Sequence, residues 1–235
     1  MKPTPFWMRA QWGNLVMATW MVEPDLIREQ LPPGCEPDCW EGKVPLSLVG
    51  VEFSEVEVKG ASWPWHGRFA EVNLRTYTQG PQGPGVVFIK ELVPKFFVAL
   101  LARRVYGEPY EKMKVQIEKH VRDGQSEMAY RWEAGERISR LSARAAEVPR
   151  SVQKGTIEEF LLSRGRGYNS HRGGTTYEIS HEPWSVRDVR RFAVDCSTGA
   201  PFGASYGSIF RTEPDSILFS DGSPVKVGFP TRISA

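Results

Sequence analysis

Phe69-Ala70-Glu71-Val72-Asn73-Leu74-Arg75-Thr76-Tyr77 alternates without a break: Glu71, Asn73, Arg75 and Tyr77 fall on one face, Val72, Leu74 and Thr76 on the other. Successive side chains of a strand point to opposite faces, so the stretch reads as one β-strand. Its polar face carries an acid, an amide, a guanidinium and a phenol in a row. Two placements fit that set. The face can line a polar interior, such as the mouth of a barrel, where a few placed groups orient a ligand. It can equally face solvent, with Glu71 and Arg75 paired along the strand. Alternation by itself says half-buried strand and leaves both open.

The flanks extend this strand into a hairpin. Ser62-Trp63-Pro64-Trp65-His66-Gly67 is a rigid aromatic loop leading in. Gly80-Pro81-Gln82-Gly83-Pro84-Gly85 is a turn-rich loop leading out, and Val86 to Ile89 begins the return strand. Pro94 then opens the strongest helical pattern, Lys95 to Tyr106, with Arg103-Arg104 in its last turns and Gly107 as its cap. Upstream, Gln11 to Val22 and Val44 to Val58 read as strands. Gly50 marks a bulge or bend, and the alternation from Val51 to Val58 predicts an edge-like, half-exposed strand. Pro24 opens a short helix, Leu26 to Gln30, ended by Leu31-Pro32-Pro33-Gly34.

Downstream, Lys112 to Val121 and Glu127 to Glu133 form a hairpin across Arg122-Asp123-Gly124-Gln125, and Ile138 to Ala146 continues in the same style with its type undecided. Gly155 to Ser163 predicts a helix with Thr156 as N-cap. A basic glycine-rich turn (Arg164 to Gly174), a strand (Thr175 to Ser180) and His181-Glu182-Pro183-Trp184 follow. Tyr206 to Ile233 reads as a terminal meander with turns at Glu213-Pro214-Asp215 and Ser220-Asp221-Gly222-Ser223. Strands dominate and hairpins join most neighbours. The expected fold is therefore α+β but mainly β, an antiparallel sheet curled into a barrel or cone with a few flanking helices, residues 1–235 forming one domain.

Composition excludes several classes. A hydrophobic fraction of 40% over 235 residues supports a real core, and a net charge of +2 argues against nucleic-acid or anionic-membrane partners. Three cysteines, Cys35, Cys39 and Cys196, fit neither a disulfide framework nor zinc-pair spacing, which suggests a reducing cytoplasm. No leader is visible and no apolar run approaches a membrane span. A homo-oligomer is compatible with the sequence but not specified by it.

Several motifs invite chemistry and fail on context. Gly203-Ala204-Ser205-Tyr206-Gly207 spells a nucleophile elbow, but no histidine follows Ser205 and strand-like residues do. His181-Glu182 lacks the second histidine of a zincin, so no metal site is expected. No phosphate loop or dinucleotide fingerprint occurs, so no cofactor is expected. Arg164, Arg166, His171 and Arg172 read as a solvated basic turn. A Schiff-base lysine needs burial or a cationic neighbour, and Lys90 and Lys112 have the best contexts.

The opening strand, Leu31-Pro32-Pro33-Gly34, Gly85-Val86-Val87-Phe88, Ala102-Arg103-Arg104, Pro109-Tyr110, Ile157-Glu158-Glu159-Phe160-Leu161 and His181-Glu182-Pro183-Trp184 occur in the order and spacing of one family. Together they resemble the YqjF-like family of uncharacterised bacterial proteins, which is grouped with the acetoacetate decarboxylase-like barrels. The resemblance implies that barrel and an active-site glutamate at Glu71. The decarboxylase relatives use a lysine pair after a Gly-x-Pro turn. Here the turn is Gly107-Glu108-Pro109, and Tyr110-Glu111 stand where the lysines would. The pocket is thus expected to persist without the decarboxylation chemistry.

The resulting expectation is a cytoplasmic pocket protein for a small molecule, an organic acid, of unassigned reaction. Glu71, Arg75 and Tyr110 are the candidate catalytic groups: Glu71 as general base, Arg75 holding a carboxylate bidentately. Asn73, Tyr77, Arg103, His181 and Trp184 are the candidate ligand-binding groups. Two alternatives stand beside it. One is a carbon–carbon lyase, decarboxylase- or aldolase-like, using a displaced Schiff-base lysine. The other is a non-catalytic protein in which Glu71 and Arg75 form an internal salt bridge.

Overall fold

The computed structural model describes residues 6–62, 67–94, 107–196 and 198–233. Long β-branched and aromatic runs give fifteen strands: β1 (Phe6–Val22), β2 (Glu36–Pro37), β3 (Val44–Val58), β4 (Ala61–Ser62), β5 (Phe69–Gly80), β6 (Gly83–Val93), β7 (Tyr110–Lys112), β8 (Val115–Arg122), β9 (Gln125–Ala134), β10 (Arg137–Ser151), β11 (Arg166–Asn169), β12 (Thr175–His181), β13 (Ser185–Asp195), β14 (Ser216–Gly228) and β15 (Thr231–Arg232). Seven of them, in the order β12-β11-β6-β5-β3-β1-β14, close into a barrel through pairing of β14 with β12. Closure removes the edges that an open sheet would expose.

Pairing in the barrel is antiparallel except between β6 and β11. The short strand β7 also joins β6 in parallel. A wholly antiparallel sheet was the expectation. The difference follows from connection length, because a strand reached by more than a hairpin turn is free to run parallel.

From β14 the sheet continues as β13-β10-β9-β8, a four-stranded flap. It packs on the outer face of β1, β3 and β5, where Trp20, Leu46, Leu48, Val72 and Leu74 meet Tyr130, Trp132 and Leu141. A second core fills the barrel itself, with Leu15, Met17, Val49, Phe69, Tyr77, Val86, Tyr177 and Trp184 among its members. The flap explains why Val44 to Phe53 is buried throughout: β3 pairs with β1 on one side and β5 on the other, so of the stretch Val51 to Val58 expected to be half-exposed, Val51 to Phe53 are buried and Ser54 to Val58 are half-exposed or exposed. It also explains β5. With Val72 and Leu74 covered outside, the polar face has nowhere to point but inward.

Gly50 has a steric role. Its register with β5 is continuous, and the bulge lies opposite, in β1, where Asn14 takes φ +54°. A Cβ on Gly50 would overlap the ring of Tyr130. That ring is held by its hydroxyl, which donates to the Asn14 carbonyl at 2.7 Å. G50A is therefore expected to destabilise the protein by about 1–3 kcal/mol, read from the urea midpoint, because the flap must move off the barrel.

The short helix expected over Leu26 to Gln30 forms as two 3-10 turns, Pro24–Leu26 and Arg28–Gln30. Two local expectations are corrected. The chain from Ser216 to Gly228 is one strand rather than a meander. Ser220-Asp221-Gly222-Ser223 does not turn the chain because Gly222, at φ +80° and against the Trp12 carbonyl, lets β14 stay paired with β1. Arg166 to Asn169 is a strand inside the stretch read as a basic turn. The helix expected from Gly155 to Ser163 forms as Ile157–Leu162, with Thr156 Oγ1 accepting from the Glu159 N–H. Its Leu161 and Leu162 project into the barrel core. The helix expected over Lys95 to Tyr106, and Arg103 with it, lies outside the described residues.

Candidate functional site

The inward face of β5 places Glu71, Asn73, Arg75 and Tyr77 in the barrel interior, where their exposures are 2, 3, 8 and 0%. Of the two placements the alternation left open, the interior one is observed. Glu71 accepts from Asn73 Nδ2 at 2.9 Å on one carboxyl oxygen and from the Tyr110 hydroxyl at 3.2 Å on the other. Tyr110 reaches it because β7 runs beside β6, opposing Tyr110 to Glu91. Glu91 in turn faces Asn73 across the β5–β6 pair, and its own side chain is 2% exposed.

A third buried acid completes the cluster. Glu108, from the turn before β7, accepts from the Tyr177 hydroxyl at 2.7 Å and from Asn169 Nδ2 at 3.0 Å. Asn169 is fixed by Thr175 Oγ1, which donates to its Oδ1 at 2.8 Å. Burial pushes the Glu71 carboxyl up to about 7, against the opposing pull of Asn73, Tyr110 and Arg75. Glu108 is likewise pushed to about 7 by burial, with Glu71 adding repulsion and Tyr177 and Asn169 resisting. Glu91 rises well above the usual carboxylate range through burial and the nearness of both other acids. Three carboxyls this close in an apolar surround do not all ionise, so the cluster holds protons at neutral pH.

Arg75 forms the opposite pole. Among the described residues it makes no ion pair with Glu71. Its terminal nitrogen donates to the Tyr77 hydroxyl at 3.4 Å and to Met17 sulfur at 3.9 Å, while Nε has no partner. The internal Glu71–Arg75 salt bridge is thus not formed. Arg75 instead borders a cavity lined by Trp12, Phe88, Leu161, Arg164, His181 and Trp184. Trp184 Nε1 donates to Ser223 Oγ at 2.7 Å, and its ring stacks on His181 at 4.5 Å. Burial, helped by the Arg75 charge, pulls His181 below its ordinary value, so its ring is neutral at pH 7.

Arg164 corrects the solvated-turn expectation. Its side chain is 10% exposed, pairs with Asp38 at 2.8 Å and lies over the Phe160 ring at 3.8 Å. Phe160 comes from the short helix, four residues earlier. Asp38 neutralises Arg164, so Arg75 supplies the cavity's net positive charge.

The candidate Schiff-base lysines lie elsewhere. Lys90 follows a bulge in β6 and faces outward, donating to Glu111 at 3.0 Å and to the Pro201 carbonyl at 2.7 Å. Lys112 is exposed, and Lys114 pairs with Glu133. Among the described residues, no group of three His, Cys, Asp or Glu side chains is arranged to hold a metal ion.

Residues 9–224 match the family DUF2071, described as an uncharacterized conserved protein. The chain belongs to the DUF2071 family. It is 26% identical over 190 residues, 80% of this chain and 78% of the relative, to the uncharacterized protein YqjF of Bacillus subtilis strain 168. Among solved structures it is similar to an acetoacetate decarboxylase-like enzyme from Sphingomonas wittichii RW1, with TM-score 0.68 and 12% identity over 97% of this chain and 93% of that one. The acetoacetate decarboxylase of Legionella pneumophila gives 0.67 and 10% over 100% and 90%. The enduracididine biosynthesis enzyme MppR, complexed with pyruvate, gives 0.65 and 16% over 100% and 92%. This DUF2071 chain therefore has the acetoacetate decarboxylase-like fold, as the resemblance implied.

The β5 residues, Tyr110, His181 and Trp184 were legible as candidates. Glu91, Glu108, Asn169 and Tyr177 were not. Glu91 stands next to Leu92 and Val93 in a strand that otherwise reads as buried, which is the available signal. Glu108 sits between Gly107 and Pro109, where sequence reasoning expects solvent.

Proposed function

We propose that this protein binds a small organic acid inside its barrel, the carboxylate on Arg75 and Glu71 as the acid–base group beside it. Tyr110 and Asn73 orient Glu71, and His181, Trp184 and Tyr77 bound the acid's surroundings. The observation that carries this reading is the Arg75 guanidinium: buried, bordering a cavity, with Nε unpartnered among the described residues. A buried guanidinium in that state is strongly stabilised by a carboxylate, which it can grip at two points. A carboxyl that titrates near neutrality is suited to give and take a proton at cellular pH. MppR, a barrel of the same fold, was solved with pyruvate, a small keto acid, which adds support by analogy. The free thiols of Cys35, Cys39 and Cys196 support a cytoplasmic setting.

A thermal-shift screen over pyruvate, acetoacetate and other small carboxylates tests the reading. Wild-type protein is expected to be stabilised by at least one acid, and both E71Q and R75A to lose that response while remaining folded. No response to any acid overturns it. The displaced-lysine alternative is less well supported, because Lys90 and Lys114 are engaged with Glu111 and Glu133 and Lys112 is exposed. Borohydride treatment with pyruvate or acetoacetate is expected to leave the protein's mass unchanged. A trapped adduct on any lysine would reinstate Schiff-base chemistry.

A further inference from the structure

The unpartnered polar atoms inside the barrel have a sign pattern. Asn73 Oδ1, Glu91 Oε2 and Glu108 Oε2 are buried acceptors without a donor among the described residues, and Arg75 Nε is a buried donor without an acceptor. The Asn73 amide is oriented by its neighbours. Glu71 accepts from Asn73 Nδ2 on one oxygen and from Tyr110 on the other, which turns Oδ1 away from Glu71. Asn73 and Glu91 face each other across β5 and β6. Arg75 follows two residues along the same face, about 7 Å further by strand geometry.

We propose that the acid is an amino acid, a zwitterion whose carboxylate lies on Arg75 and whose ammonium lies against Asn73 Oδ1 and Glu91 Oε2. The inference rests on the reading of the interior as an acid site and names the ligand's second group. A plain carboxylic acid would satisfy Arg75 and leave the acceptors unpaired, at a cost for each buried atom. A hydroxy acid offers one donor and no charge. An ammonium offers three donors and a positive charge. That charge matters because Glu71, Glu91 and Glu108 are held by amides and phenols, with no lysine or arginine paired to them among the described residues. A bound cation would let the cluster ionise where the chain supplies no countercharge. Anionic and cationic poles on one strand face are the complement of a dipolar ligand.

The experiment uses the full chain. Thermal shift over the standard amino acids, β-alanine and 4-aminobutyrate finds the best binder. Calorimetry then compares that amino acid with its hydroxy and deamino counterparts, as alanine, lactate and propionate would be compared. The amino member is expected to bind at least tenfold tighter than either counterpart. Equal affinity across the three, or binding of pyruvate or acetoacetate with no amino acid bound, overturns the zwitterion and leaves the acid site standing. Silence from every acid overturns both. E91Q keeps the shape but cannot ionise to meet an ammonium, and is expected to bring the amino-to-deamino ratio below threefold. N73A is a second variant with the same expectation. A ratio that survives in both overturns the placement of the ammonium.

Discussion

Replacing Arg75 with methionine is expected to abolish the acid-induced thermal shift and, at the same time, to raise the melting temperature of the unliganded protein. The two effects have one origin. Arg75 is 8% exposed, its terminal nitrogen reaches only a thioether at 3.9 Å and a phenol at 3.4 Å among the described residues, and Nε has no partner there. Desolvating a charge in that state costs stability, and well-packed apolar replacements of buried charged groups are often stabilising by about 1–4 kcal/mol. For a chain of this size each kcal/mol moves the melting temperature by about 2–4 °C. Methionine fills the same channel beside Met17 without the charge. R75K is the control: it keeps the charge but loses the planar fork, so binding weakens and no stability is gained. A differential scanning fluorimetry series in which R75M falls by more than about 3 kcal/mol would make Arg75 a structural keystone. That outcome would sink the ligand reading.

The same residue illustrates how much of the site is legible in the sequence. Alternation from Glu71 to Tyr77 was plain, and so was the oddness of its polar face. Which way that face pointed was not, because one strand carries no information about its neighbours. The flap decides it. Tyr130 and Trp132 cover Val72 and Leu74 from outside, and those contacts join residues some sixty positions apart, beyond any local pattern. Glu108 lies between Gly107 and Pro109, where local pattern places a solvated turn, yet it is buried because Tyr177 and Asn169 come round to meet it. Arg164 shows the same limit: its basic neighbours suggested water, while Asp38 and Phe160 hold it inside. Local propensity located the elements. Long-range pairing assigned their faces, and with them the carboxyl cluster.

That cluster makes a second, pH-dependent expectation. In the unfolded chain a glutamate titrates near 4.5, whereas folding pushes Glu108 and Glu71 to about 7. Below pH 4.5 each is protonated in both states and folding carries no proton cost. As pH climbs from 4.5 toward 7 the unfolded chain gives up these protons first, so stability falls. Above 7 the folded groups ionise as well and the loss levels off, at about 3 kcal/mol for each group taken separately. E108Q removes one of these losses while preserving the geometry, since the glutamine oxygen still accepts from Tyr177 and Asn169. Its amide nitrogen takes the place of the unpartnered Oε2. The variant is expected to match wild type at pH 4 and to exceed it by about 3 kcal/mol at pH 8, read from urea midpoints at the two pH values. A difference that stays the same at both pH values would mean that Glu108 ionises as freely in the barrel as in water, and the proton-holding cluster would fall with it.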